Sequence, residues 1–444
     1  MAGVEDVGKQ LRKIAVIGGG CAGLAAAAEL ASKGIPVTIY EASRQLGGRA
    51  RGLNWKGRRL DNGQHIMLGA YSETLRLLKL AGVDLSAAFL RLPLQLIQYR
   101  QFDLRASTHL PAPLHILAGM LRADGLSRRE RLAALRFMVA LKLSGFRLRQ
   151  DESLSTFLAR HRQPRKLVQW LWEPICLAAL NTPLDQASAQ VFLNVLRDSF
   201  SRSKSDSDLL LPRLDLSTLI TGPLAEYVRQ GDGKVRFGSP VTAIRQENGV
   251  FVVESDGDTQ HFSHVIAAVS PFRLGELVAS LPELEDAART CSGYDYQPIY
   301  TVYLQYSSAT LPFPMIGLTG GHVQWVLDRG ALDGQHGLLA VVISAEGRHQ
   351  ALAQEALAAE VSLELAQAFP DLPAPEWHKV IAEKRATFAC RPNLPRPAQR
   401  TPLANFYLAG DYTASNYPAT IEGAVRSGVK CARLILENEH KLTS

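Results

Sequence analysis

Apolar positions in the first forty residues fall into three runs. Lys13 to Ile17 is short and β-branched, Leu24 to Ala31 is alanine-rich and broken only by Glu29, and Pro36 to Tyr40 is β-branched again. The two short runs predict buried strands, and the longer one, which continues to Lys33 and stops at Gly34, predicts a helix between them. Together they make one βαβ unit. From Thr74 to about Asn194 the pattern is largely helical, with Leu132, Leu135, Val139 and Leu143 on one stripe. Between Lys234 and Val269 it changes to strands (VRFG, VTAIRQ, VFVVES and HVIAAV) separated by Gly, Asn and Asp turns. Further on, Ile299 to Tyr306, Leu338 to Ser344 and Phe406 to Ala409 read as strands. Ala351 to Phe369 and Ile421 to Asn438 read as helices.

Composition narrows the class. A chain of 444 residues exceeds what one core usually serves, so two domains are expected. With 46% hydrophobic and 20% charged residues it is neither disordered nor fibrous. No run approaches the roughly eighteen apolar residues that span a bilayer. Met1 to Lys13 lacks the apolar centre of an export signal and reads as a short arm before the first strand. Cys21, Cys176, Cys291, Cys390 and Cys431 are far apart and form no CxxC or Cys/His pair, so no disulfide framework and no metal site is indicated. A reducing, cytoplasmic location is the expectation. The net charge of +7 is concentrated: Arg122, Arg128, Arg129, Arg131, Arg136, Lys142, Arg147 and Arg149 face only two acidic residues in that stretch. Without a nucleic-acid-binding motif or aromatic interleaving, nucleic acid is a poor partner for it.

The chemistry begins at Gly18-x-Gly20-x-x-Gly23, which follows a strand and opens a helix, with Glu41 ending the next strand. That is the setting a dinucleotide fingerprint requires. Gly18 makes the turn, Gly20 admits a pyrophosphate, and Gly23 lets the helix pack on the strand. The helix N-terminus at Cys21 and Ala22 faces the phosphates, and Glu41 accepts from ribose hydroxyls. The motif alone leaves NAD and FAD open.

Glu41-Ala42-x-Arg44-x-x-Gly47-Gly48-Arg49 resembles the second fingerprint of the flavin amine oxidase and phytoene desaturase families. So do Leu408-Ala409-Gly410-Asp411 and Tyr417-Pro418-Ala419-Thr420-Ile421-Glu422-Gly423-Ala424. The resemblance implies FAD as cofactor. Gly47 and Gly48 would lie close to the flavin, Arg49 at the pyrophosphate, Gly410 and Asp411 at the ribityl and phosphate part, and Thr420 and Ile421 at the pyrimidine end of the ring. Val241 would touch the adenine. It also implies an α/β fold: a discontinuous Rossmann-like FAD-binding domain over 1–70, 205–275 and 396–444, and a mixed α+β, largely helical substrate domain over 71–204 and 276–395.

Two departures count against amine oxidation. No lysine occurs between Lys234 and Lys379, where amine oxidases hold a water at the flavin, and Thr420 stands where their aromatic cage has an aromatic. The blocks Leu60 to Tyr71 (LDNGQHIMLGAY), Leu171 to Pro174 (LWEP), Ala178 to Pro183 (AALNTP), Val195 to Phe200 (VLRDSF) and Ser207 to Pro212 (SDLLLP) resemble the hydroxysqualene dehydroxylases. What that implies is reductive removal of the hydroxyl of hydroxysqualene, giving squalene and water in hopanoid or related triterpenoid synthesis. Oxidative desaturation of a polyene isoprenoid stays open, as does a flavin-bound lipid carrier without turnover.

An allylic hydroxyl leaves as water when protonated, so the site needs an acid and a dry apolar cavity. Glu173, Asp198 and His65 are the candidate acids. Glu173 equally suits a buried hydrogen-bonding role, Asp198 a pair with Arg197 or Arg202, and His65, beside Gln64, a place against the flavin. Trp170, Trp172, Ile175, Leu177, Phe192 and Leu196 are candidate walls for a lipophilic C30 isoprenoid, and most of them equally suit ordinary core. The basic stretch, its apolar stripe opposite the arginines, suits peripheral contact with the inner face of the cytoplasmic membrane, and equally a solvated basic helix. An electron donor is required but not identified.

Overall fold

The computed structural model describes residues 13–200 and 202–440. The arm expected over Met1 to Lys13 therefore lies outside the described residues, except for Lys13, as do the last four residues of the chain. Five parallel strands form the sheet that organises the molecule: β1 (Ile14–Ile17), β2 (Val37–Tyr40), β3 (Lys234–Arg236), β4 (His264–Ala267) and β5 (Phe406–Leu408), in the order β3-β2-β1-β4-β5. Strands covered on both faces need apolar residues at every position rather than at alternate ones. The wholly buried Ile-Ala-Val-Ile of β1 has that composition. Helix α1 (Cys21–Ala31) is buried along almost its whole length, because its alanines let it lie between the sheet and the rest of the core. Three separated segments of the chain thus meet in one sheet.

A three-stranded antiparallel sheet (Val241–Glu247, Val250–Ser255, Asp258–Phe262) lies on this layer. Phe251 meets Phe406 and Phe262 meets Tyr40, ring centroids 5.7 and 6.0 Å apart.

The second half of the molecule holds a seven-stranded sheet in the order Trp377–Phe388, Tyr296–Gln305, Leu338–Ser344, Trp325–Asp328, Met315–Gly317, Gln95–Gln98, Phe102–Arg105. Its last two strands fall within the stretch expected to be largely helical. Pro93 interrupts any helix there, and Phe102 to Arg105 alternates inward and outward over four residues, too short a period to outweigh its surroundings in the sequence. Trp377–Phe388, a polar alternating strand, was likewise not anticipated.

Helices α2 (Leu114–Arg122), α3 (Arg128–Leu143), α4 (Glu173–Leu180) and α5 (Ala189–Phe200) cover this half, and α6 (Ile421–His440) closes the chain against α1. Helix α3 starts at a capping box: the Ser127 hydroxyl accepts from the Glu130 amide at 3.3 Å and the Glu130 carboxylate accepts from the Ser127 amide at 2.7 Å. Its inward residues are Ala133, Ala134, Phe137 and Leu141. The stripe Leu132, Val139 and Leu143 points out, and Arg136 stands on that same outward side, so the apolar stripe is not opposite the arginines. Phe137 decides the matter, since its ring packs edge-on against Trp172 at 5.2 Å and the neighbouring alanines let the helix sit close.

Candidate functional site

A cavity of about 840 Å³ runs between the two halves. At one end its wall is mostly backbone. Gly18, at φ +111°, turns the chain from β1 toward α1, and a methyl there would lie 2.5 Å from the carbonyl oxygen of Ala268. Gly23 does not reach the cavity; it is the packing position of the motif, where a methyl would meet the Gly18 carbonyl oxygen at 2.0 Å. Gly20 differs from both, since a methyl there would project into open space. No side chain caps α1 at Gly20, which leaves the first amides of that helix for an anion. Cys21 and Ala22, at the same helix start, line the cavity too.

Glu41 also faces the cavity, its carboxylate fixed by the amides of Gly19 and Ser43, each at 2.8 Å. Two acceptor oxygens are thereby aimed while keeping lone pairs free. Ala42, Gly47, Gly48 and Val241 continue the wall. Arg49 donates to Asp411 at 2.8 Å and to the Ala386 carbonyl at 2.9 Å, tying the N-terminal glycine segment to the C-terminal Gly410-Asp411 turn. Beyond that turn, Thr420 caps α6 by accepting from the Gly423 amide at 3.1 Å, and Thr420 and Ile421 present a second helix N-terminus to the cavity. These residues fit FAD: two helix N-termini, an aimed carboxylate and open space at Gly20 are what an adenine dinucleotide joined to a flavin requires.

Gln64 and His65 lie farther along the wall. The Gln64 side chain donates to the Tyr303 hydroxyl at 2.7 Å and accepts from Arg329 at 2.9 Å; Tyr303 in turn donates to the Asp61 carbonyl at 2.9 Å. Arg329 is 1% exposed and is balanced by Asp333 and, at 3.7 Å, by Asp61. Burial pushes the Asp61 carboxyl up to about 7, against the Leu216 amide and Arg329, which pull it down. His65 Nδ1 faces the Gly63 carbonyl at 2.8 Å, so in the neutral ring that nitrogen carries the hydrogen and Nε2 is an acceptor. Burial, opposed by that carbonyl and aided by Arg49, holds the imidazole below its usual pKa.

The other end is built from side chains: Leu96 and Leu104 from the sheet, Ile116 and Met120 from α2, Met138 from α3, and Val195 from α5. Of the expected walls, Trp172, Ile175 and Leu177 line the cavity, whereas Phe192 and Leu196 belong to the core and Trp170 packs against it. Glu173 is not on the cavity wall. It is half-buried, and burial raises its carboxyl above the usual range. Asp198 does reach the cavity, paired with Arg197 at 2.8 Å.

Sequence reasoning missed Tyr417 as a functional side chain. It lines the cavity four residues before the start of α6, and the Asp198 carboxylate of the opposite half acts on its hydroxyl. Burial, with Asp198 beyond it, pushes the phenol up to about 12, although Arg426 opposes this. Arg396 holds the loop that carries Tyr417, donating to the Tyr417 carbonyl at 2.8 Å, to those of Tyr412 and Ser415 at 3.2 Å, and to that of Asp411. Tyr417 stands at the head of the Tyr417 to Ala424 block, but neither its role nor that of Arg396 had a signal in spacing, because both act through contacts distant in the chain.

Comparison with known proteins agrees with the geometry. Residues 21–436 match the family described as flavin containing amine oxidoreductase. Two relatives named hydroxysqualene dehydroxylase are similar over almost the full chain. That of Rhodopseudomonas palustris is 29% identical, covering 96% of this chain and 98% of its own. That of Sinorhizobium fredii is 27% identical with the same coverage. Among solved structures, cyclohexylamine oxidase from Brevibacterium oxydans superposes with a TM-score of 0.72 at 17% identity, covering 97% of this chain and 99% of that one, a likeness of fold.

Proposed function

The chain belongs to the flavin-containing amine oxidoreductase family and is an FAD-dependent oxidoreductase, and on that premise we propose that it removes the hydroxyl of hydroxysqualene reductively, giving squalene and water. The observation that carries this is the single cavity with a backbone-walled, glycine-rich end and an apolar end. Similarity to two hydroxysqualene dehydroxylases over nearly the whole chain supports the substrate.

FAD, when bound in its reduced form, supplies two electrons and a hydrogen to the carbon that loses oxygen, so R–OH, a proton and reduced cofactor become R–H, water and oxidised cofactor. The residues Gly18, Gly20, Cys21, Ala22, Glu41, Ala42, Gly47, Gly48, Arg49, Gln64, His65, Val241, Gly410, Asp411, Thr420 and Ile421 hold that cofactor, and Gly23 supports them from within the packing. The apolar end excludes water from the C30 chain and from the cation formed when the allylic C–O bond breaks.

The proton comes from the Tyr417–Asp198 pair. His65, neutral and offering Nε2 as an acceptor, has none to give, and Glu173 does not reach the cavity. The Tyr417 phenol, beside the Asp198 carboxylate that Arg197 ion-pairs, turns its proton toward a hydroxyl in the cavity by rotation about the phenol C–O bond. A phenol near 12 is a weak acid. It is still acidic enough for an oxygen that acquires hydroxide character on leaving, because water has a pKa of about 15.7. Solvent then reprotonates Tyr417.

The test is anaerobic. Holoenzyme is reduced, hydroxysqualene is added in detergent, and flavin reoxidation is followed while squalene is assayed. One squalene per flavin reoxidised is the expected result. Flavin that stays reduced beside unreacted alcohol, and oxidised flavin that becomes reduced by a hydrocarbon, would instead give the desaturase reading.

A further inference from the structure

Helices α2 and α3 have two opposite tasks on two opposite faces. Inward, Ile116, Leu117, Met120 and Met138 line the apolar end of the cavity. Outward, Leu114, Leu121, Leu132, Val139 and Leu143 are exposed, Leu143 by 84%, and Leu110 is exposed just ahead of α2. Six of the eleven large hydrophobic side chains exposed among the described residues therefore fall within 110–143. Isolated exposed leucines are ordinary, but a cluster on two adjoining helices needs a cover.

The charge around the cluster says what covers it. Arg122, Arg128, Arg129, Arg136 and Lys142 are exposed beside these leucines, and among the described residues none of them makes an ion pair with a carboxylate. Arg136 falls on the same helical stripe as Leu132, Val139 and Leu143, four residues after the first and three before the second. A protein interface of this composition would bury unpaired cations at a cost. At a bilayer the leucines enter the acyl boundary while arginine and lysine reach up their own stems to the phosphates. Among the described residues no helix is long and apolar enough to cross a membrane, so such contact is confined to the surface.

We propose that the outer face of α2 and α3 docks on an anionic lipid bilayer and sets the apolar end of the cavity against it, so that Leu117 and Met138, each partly exposed and each on the cavity wall, stand at the lipid entrance. The purpose of the docking rests on the lipophilic-substrate reading above, but the docking itself is measured without turnover, so either can fail alone.

The experiment is co-sedimentation of the flavin-loaded full chain with vesicles of phosphatidylcholine alone and of phosphatidylcholine mixed with phosphatidylglycerol. Wild type binds the anionic vesicles. The triple variant Leu132→Ser, Val139→Ser, Leu143→Ser binds at least about tenfold more weakly. The variant Arg129→Gln, Arg136→Gln, Lys142→Gln loses about fivefold per charge removed. Both keep their flavin absorbance, melting temperature and turnover of detergent-dispersed substrate, because these side chains touch neither cavity nor core. Wild type that ignores anionic vesicles, or variants that bind as well as wild type, would overturn the proposal. So would a wild type that dimerises through this face and becomes monomeric in the serine variant, for then a second copy covers the leucines.

Discussion

At the glycine-rich end of the cavity the wall is backbone, held in place by positive φ at Gly18, by amides on Glu41 and by the Arg49–Asp411 tie. At the apolar end the wall is side chains from a sheet edge and four helices, drawn from several separate stretches of the chain. A backbone wall tolerates almost no substitution, because the close approach is set by the absence of Cβ atoms. A side-chain wall tolerates exchange of shape as long as volume is conserved. One end should therefore break on single methyl groups and the other should adjust.

The largest effect is expected at Gly18→Ala. The added methyl meets the Ala268 carbonyl oxygen at 2.5 Å in a conformation alanine disfavours, so the protein should be recovered without flavin absorbance or not folded at all. Leu104→Met in the opposite wall should keep both flavin and fold, at a cost under about 1.5 kcal/mol by thermal melting. Between the ends, Tyr417→Phe should retain flavin and lower turnover by about 10² to 10⁴, the usual worth of a positioned acid. An equal loss of flavin would make Tyr417 a structural residue. On α3, Phe137→Ala should cost about 3–5 kcal/mol, whereas Leu143→Ser should stay within about 0.5 kcal/mol. The smallest effect is one of pH. His65 binds its proton less tightly folded than unfolded, so its contribution is full above the usual imidazole range and declines as pH falls through about 6.5. His65→Asn should flatten that acid limb of a melting-temperature profile.

How much was legible in the sequence follows the same division. The strands β1 and β2, α1, the fingerprint glycines and Glu41 could be read because backbone chemistry at a phosphate demands fixed local spacing. The C-terminal Gly410-Asp411 and Thr420-Ile421 were legible through the family resemblance of their blocks, and the structure places both on the cavity wall. The apolar end could not. Phe192 and Leu196 suited wall and core alike and are core, since an apolar helix face does not announce which space it fills. Helix α3 was legible as a helix, but its orientation was set by Phe137 meeting Trp172 across the fold. Tyr417, Arg396 and Arg329 owe their places to partners in distant segments, and no local pattern encodes that.

One cavity whose two ends serve the same event is tested directly by a titration of the resting, oxidised holoenzyme with squalene. The prediction is a saturable shift of the visible flavin band in wild type, abolished when Ile116→Trp and Met138→Trp fill the apolar end while flavin content stays the same. Squalene that binds without disturbing the flavin, or that shifts it equally in the filled variant, would contradict the account.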